Sequence, residues 1–289
     1  MSKSKRHHYI PQFLIKNFTD DDGLLYVYNK QEDRIIGKKQ SPKSIFFEND
    51  RNTVTFAGKF DLDNLEQLYS ALDGRLAIDV RNVLKNKTVS PEELVSIALL
   101  AIMLKWRTPS SDKEFNILKE DITKEDLSID IRLKDNTESS SQEEISHILN
   151  SNIFKETKRI LLSILPLLNE DKLLDIHNNS FIYTNELFPG LIGDNPIIER
   201  SSLNYWNIEN FIFPLSTYET FIYAKRDSDK GLNALFNIQK DLAIIHLSEK
   251  YVACKSKSQL EKIVQMYNIV KQENKVNSII PNLFKFLDM

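Results

Sequence analysis

Three features of the sequence predict an α+β fold. Short β-branched and aromatic runs crowd the first 56 residues and return from residue 181. The stretch between them carries helical periodicity and strong helix-start signals. Strands and helices do not alternate in the rhythm of a βαβ sheet. The expected architecture is an N-terminal β-hairpin region and a C-terminal sheet of short strands, packed with a central helical layer. One domain is expected over residues 1–289, with an internal loop at 135–142.

Taken in order, Pro11 opens a helical turn, since its fixed φ suits the first helical position, and Phe13, Leu14 and Phe18 anchor that turn on a core. The run Asp20-Asp21-Asp22-Gly23 breaks it. Leu24–Tyr28 and Arg34–Gly37 flank the polar Lys30-Gln31-Glu32-Asp33 as the strands of a hairpin, and a third short strand lies at Thr53–Phe56. These strands place the N-terminal segment beside a small sheet. Asp63-Asn64-Leu65-Glu66 has the pattern of a capping box, and Leu65, Leu68, Leu72, Leu76, Val80 and Val83 follow at helical spacing. A second helix starts at Ser90-Pro91-Glu92-Glu93 and runs to Trp106, ending ahead of Pro109 because the residue before proline is pushed out of the α region. Its apolar residues cover more than one face, which places it centrally.

The polar run Asp135 to Gln142 reads as a loop, and a helix follows from Glu143 to Leu165. Strands are then expected at Phe181–Thr184, Leu191–Gly193, Ile197–Glu199, Phe211–Pro214 and Thr220–Ala224. Two helices close the chain, one over Leu232–Leu247 and one capped at Ser258.

Composition excludes several functional classes. A formal net charge of −3, from 38 basic and 41 acidic residues, sets up no global field for nucleic acid, so a nucleic-acid partner would need a local basic patch such as the opening SKSKRHH. The single Cys254 rules out an intramolecular disulfide or a cysteine zinc cluster and fits a reducing cytosol. No signal peptide is expected, and the longest apolar stretch, Ile97–Leu104, falls far short of the roughly 20 residues a bilayer requires. A cytoplasmic protein without membrane partners is expected. The 7 glycines spell neither a P-loop nor a dinucleotide fingerprint, and there is no Gly-x-Ser-x-Gly elbow.

The chemistry concentrates in HHYIPQFLIKNF, His7 to Phe18. Imidazole titrates near neutrality and is the commonest metal ligand. His8 is a candidate general base and His7 a candidate ligand for a divalent ion, zinc or manganese, with Asp194 of Asp194-Asn195-Pro196 as a second ligand and catalytic partner. Adjacent histidines project differently, so at most one of the pair is expected on a metal. Gln12, Arg107 and Asn195 are candidate substrate or phosphate contacts. Each has a plainer reading. The histidines can hold backbone carbonyls, Asp194 can start a turn, and Arg107 can satisfy the carbonyls that end its helix. His147 and His177 are expected at the surface and His246 in the core.

Four separated stretches, HHYIPQFLIKNF, Arg107-Thr108-Pro109, Asp194-Asn195-Pro196 and Phe213-Pro214-Leu215-Ser216, occur in the order seen in one family. The chain resembles the bacterial proteins grouped as the domain of unknown function 4238 family, which begin with His-His-Tyr-x-Pro-Gln and later carry Ser-Asp-Asn-Pro. Gly193 stands here where that pattern usually has serine. The resemblance implies a bacterial origin and, for some members, a place among anti-phage defence genes, whose effectors are commonly nucleases or other toxic enzymes. His7-His8-Tyr9-Ile10-Pro11 is also similar to the first element of an H-N-H nuclease, although the next histidine is only His147. The leading expectation is an anti-phage defence effector that acts on nucleic acid as a metal-assisted nuclease or phosphodiesterase. The alternative is a non-enzymatic sensor or partner-binding defence protein, triggered by a phage or host protein, in which the His-His motif is structural.

Overall fold

The computed structural model describes residues 6–56, 60–86, 89–121, 151–200, 210–225 and 231–288. The fold is α+β, with small antiparallel sheets around a helical core. The predicted hairpin forms as β2 (Tyr26–Asn29) and β3 (Arg34–Ile35), with Tyr28 opposite Ile35. Its inner edge pairs with a strand from the far end of the chain, β12 (Tyr251–Cys254), which also carries β8 (Ile192–Gly193) on its other side. The resulting order is β3-β2-β12-β8. A second sheet, β7-β11-β10-β9, is built from β7 (Ser180–Thr184), β9 (Ile198–Glu199), β10 (Phe211–Pro214) and β11 (Glu219–Tyr223), all within about one residue of the ranges expected from β-branched and aromatic patterning.

The histidine segment is not on the hairpin sheet. It forms β1 (Arg6–His8), paired with β4 (Phe47–Asn49) in a separate ribbon that places His7 opposite Glu48 and His8 opposite Phe47. The expected turn follows as α1 (Gln12–Lys16), and Leu14, Ile15 and Phe18 are fully buried. The strand at Val54–Phe56 (β5) pairs with β6 (Phe60–Leu62).

The helical layer centres on α2 (Asn64–Lys85) and α3 (Pro91–Arg107). At α3 the capping box is complete: Ser90 Oγ accepts the Glu93 N–H at 3.2 Å, and Glu93 Oε2 accepts the Ser90 N–H at 2.8 Å. Such a cap contributes about 1 kcal/mol. The box expected at the start of α2 does not form. Asp63 Oδ1 accepts the Thr53 hydroxyl and Glu66 Oε2 accepts the Asn52 amide, so both carboxylates tie down the loop before β5 instead. Long-range partners outcompeted the local ones.

Around this layer stand α4 (Asp112–Asp121), α5 (Asn152–Ile164), α6 (Glu170–Asn178), α7 (Ala234–Leu247), α8 (Lys257–Gln272) and α9 (Ile279–Lys285). Patterning did not reveal α4, α6 or α9. Helix α8 is capped two residues earlier than expected, by Ser256, whose Oγ accepts the Gln259 N–H. His177 sits exposed in the last turn of α6, as expected, and His246 is half-buried at the end of α7 rather than in the core. The loop expected at 135–142, the start of the helix expected from Glu143, and His147 lie outside the described residues.

One hydrophobic cluster joins Ile10, Leu14, Ile15 and Phe18 to α2, α3, Phe213 and Phe221. A second gathers Phe236, Ile244 and Ile245 of α7 with Val252 and Cys254 of β12 and Leu283 of α9. The N-terminal motif is therefore wedged onto the helical layer, and β12 is wedged onto the C-terminal helices.

Candidate functional site

Extended pairing of β1 with β4 carries both histidine side chains into the protein, where His7 is 1% exposed and His8 9%. Nδ1 of His7 accepts the backbone N–H of Asn52 at 3.0 Å. Nε2 of His8 donates to the Pro42 carbonyl at 3.2 Å, which fixes the tautomer and leaves Nδ1 to accept from the Gln12 amide at 3.4 Å. Burial lowers the His8 pKa from its ordinary value, against the opposing pull of the Pro42 carbonyl, and the nearby Arg107 charge lowers it further. The next residue, Tyr9, donates its N–H to the carbonyl of Phe46, a buried residue held at φ +56. A bulky side chain in the left-handed region costs about 1–3 kcal/mol, so the turn that presents Tyr9 is strained.

Asp194 follows β8 and is 5% exposed. Its carboxylate accepts three backbone N–H groups across the turn between α7 and β12: Oδ1 takes Glu249 at 2.8 Å, and Oδ2 takes Lys250 and Tyr251 at 2.7 Å each. Burial raises the Asp194 pKa, and those three donors and Lys30 oppose the rise. Gly193 lies against the same turn. A Cβ there would stand 2.0 Å from the Ser248 hydroxyl, which donates to the Ile244 carbonyl. The Ser248 hydroxyl thus fills the space that a side chain at residue 193 would need.

Arg107 ends α3 at 3% exposure. One guanidinium nitrogen reaches both Asp73 oxygens at 2.9 Å, and the group stacks 4.4 Å from the Tyr69 ring centroid. Arg51 fastens this corner to the histidine ribbon by donating to the Arg107 carbonyl, to Asp112 and to Glu48.

Three of the four signature stretches meet at one small pocket of about 140 Å³, where Tyr9, Pro109 and Asp194 stand with Gln31, Glu48, Ser110, Glu249 and Lys250. The fourth stretch meets the end of the first, since the Asn17 amide donates to the Leu215 carbonyl. Burial, then the Asp194 and Glu48 charges, push the Tyr9 hydroxyl pKa well above its ordinary value. Burial, then Asp194, Asp112 and Glu48, raise Glu249. Arg51 opposes the first shift and Lys30 the second. A larger cleft of about 520 Å³ adjoins it across Ser110 and is lined by Asn195, Glu114 and the Lys105–Glu199 ion pair at 2.8 Å.

Of the residues singled out in the sequence, Asp194 reaches the small pocket and Asn195 the adjoining cleft, while Gln12 bonds His8 and Arg107 bonds Asp73. His7 and His8 do not line either cavity. Among the described residues no three His, Cys, Asp or Glu side chains gather as a metal site. Sequence reasoning missed Tyr9, Glu48, Ser110 and Glu249. Tyr9 alone had a signal, as the third residue of the opening motif, whereas Glu48 and Glu249 are ordinary surface glutamates until the fold brings them together.

No curated protein and no solved structure matches the chain. The family described as "Protein of unknown function (DUF4238)" matches residues 6–253, a span from the first strand to the penultimate residue of β12 that takes in all eight residues of the small pocket. The chain belongs to that family.

Proposed function

We propose that this chain is a sensor or partner-binding protein of anti-phage defence, working in the cytoplasm, in which His7 and His8 hold the N-terminal strand in place. One observation carries the reading: the side chains of His7, His8, Arg107 and Asp194 are all at least nine-tenths buried and committed to hydrogen bonds within the protein. A general base needs a lone pair within reach of the proton it removes. The exposed carboxylates at the small pocket are those of Glu48 and Glu249, and like charge disfavours a phosphodiester there. Among the described residues no helix is long and apolar enough to cross a membrane.

The test compares two His8 variants by thermal denaturation and by a phage plaque assay. His8→Ala leaves the Pro42 carbonyl unpaired and is expected to cost about 1–3 kcal/mol, with defence lost only as the protein unfolds. His8→Gln keeps a donor near Pro42 and is expected to retain both fold and defence. A His8→Gln protein that is fully folded yet inactive would favour the metal-assisted nuclease or phosphodiesterase, because glutamine cannot carry the proton.

A further inference from the structure

We infer that the small pocket beneath Tyr9 is a recognition site for an organic cation, a primary ammonium or guanidinium head, seated between the Tyr9 hydroxyl and the Glu249 carboxylate. The inference deepens the binding role proposed above and rests on it. Three observations converge. Tyr9 is only 5% exposed and lines the cavity, yet its hydroxyl makes no hydrogen bond to any described residue. Its ring is packed away but its hydroxyl oxygen opens to the cavity, where a ligand atom can take the place of water as its partner.

The second observation is charge. Glu48, Asp194 and Glu249 face the cavity against the single ammonium of Lys250. Glu48 is engaged by Arg51 and Asp194 by three peptide N–H groups, whereas the Glu249 carboxylate forms no ion pair with a described residue. Glu249 is thus the carboxylate available to an incoming cation. The remaining wall is Pro109, Gln31 and Ser110, and the Gln31 amide oxygen and the Ser110 hydroxyl oxygen have the capacity to accept an N–H from the ligand.

Size is the third. About 140 Å³ is close to the roughly 150 Å³ of cavities known to admit a benzene-sized molecule, enough for a guanidinium or ammonium and its first carbons but not for a nucleotide. The adjoining cleft across Ser110 gives the rest of a longer ligand somewhere to lie. A free alkylamine and a lysine or arginine of a partner polypeptide share this head-group chemistry.

The experiment titrates the full chain with n-butylammonium and n-butylguanidinium, with the neutral N-butylurea as control, and follows affinity by calorimetry and melting temperature. Saturable binding of at least one cation, absent for the urea, is expected, weakened about tenfold or more in both Tyr9→Phe and Glu249→Gln. Tyr9→Phe removes an unpartnered hydroxyl and is expected to melt no lower than the parent, so loss of binding in it cannot be read as unfolding. Nα-acetyl-lysine and Nα-acetyl-arginine amides form the second arm: binding at least tenfold tighter than the bare heads identifies a partner's side chain, and equal binding identifies a free amine. No binding of either cation beyond that of the urea, or equal binding in parent and both variants, overturns the inference. The binding role itself stands or falls on the His8 variants, so the two can fail separately.

Discussion

Lys30 and Asp194 grip the same turn by opposite ends of its peptide groups. The Lys30 ammonium donates to the carbonyls of Ile245, His246 and Ser248 at 2.7–2.9 Å, while the Asp194 carboxylate accepts the N–H groups of Glu249, Lys250 and Tyr251. The carbonyls left over where α7 ends are satisfied by one side chain and the amides that follow by another, so Glu249 is presented on a rigid support.

Asp194→Asn replaces one acceptor oxygen by a donor and leaves at least one of these amides unpaired. A loss of about 1–3 kcal/mol in urea denaturation is expected. Lys30→Met, which strands three carbonyls, should lose a similar amount. Zinc or manganese should restore neither variant. If both melt like the parent, the turn is held by something else.

The close fit of Gly193 against Ser248 sets a second expectation. Gly193→Ala places a methyl 2.0 Å from the Ser248 hydroxyl and 3.1 Å from Ile244, and overpacking of this kind costs about 1–3 kcal/mol. Ser248→Ala in the same chain should recover much of that loss, giving a clear coupling in a double-mutant cycle. Additive losses would mean that the strand shifts instead.

Arg107 is buried and stacked on Tyr69, and its partner Asp73 is half-buried. Removing one partner leaves an uncompensated charge, and Asp73→Ala is expected to cost about 3–5 kcal/mol. Replacing both, as Arg107→Met with Asp73→Leu, should recover a large part of it. Chemical denaturation of the single and double variants separates an ion pair held for packing from one held for ligand contact, because the latter double variant would be stable and inactive.

Much of this architecture is legible in the sequence, and the exceptions share a cause. Strands β7 to β11 and helices α2, α3 and α7 announce themselves because local patterning and burial agree. Strand β12 escaped because YVAC is only four residues long; its pairing with β2 on one side and β8 on the other makes it a strand. The capping box at Asp63 failed for the same reason, since Thr53 and Asn52 are nearer partners in space than the local amides. In the site, His7, His8, Arg107 and Asp194 are conspicuous as residue types. That their side chains turn inward, while Tyr9 and Glu249 face the cavity, depends on the register of β1 against β4 and on the turn after α7, neither of which composition or spacing encodes.

Stability should also depend on pH through His8. Burial lowers its folded pKa below the ordinary 6.5, so in the interval between the two values the unfolded chain binds the additional proton. This contribution is complete above about pH 6.5 and is lost as pH falls through the folded value. His246, also lowered by burial, acts in the same sense, and the raised carboxyls of Asp73, Asp194 and Glu249 act in the opposite one. Those groups remain in His8→Gln. Denaturant midpoints measured from pH 7.5 downward should therefore fall less steeply in the variant than in the parent, and identical slopes would rule out His8 as the proton acceptor.

Lys30 and the turn it holds lie 215 residues apart in the chain. During synthesis the histidine ribbon and the hairpin emerge early, but the edge of β2 stays open and Tyr9 faces no Glu249 until β12 has left the ribosome. Pairing across so long a loop is slow to nucleate, and an open strand edge is prone to join other chains. A prematurely terminated chain would thus carry the whole opening motif and still lack the cavity it helps to build, and it would be exposed to aggregation through the open edge of β2.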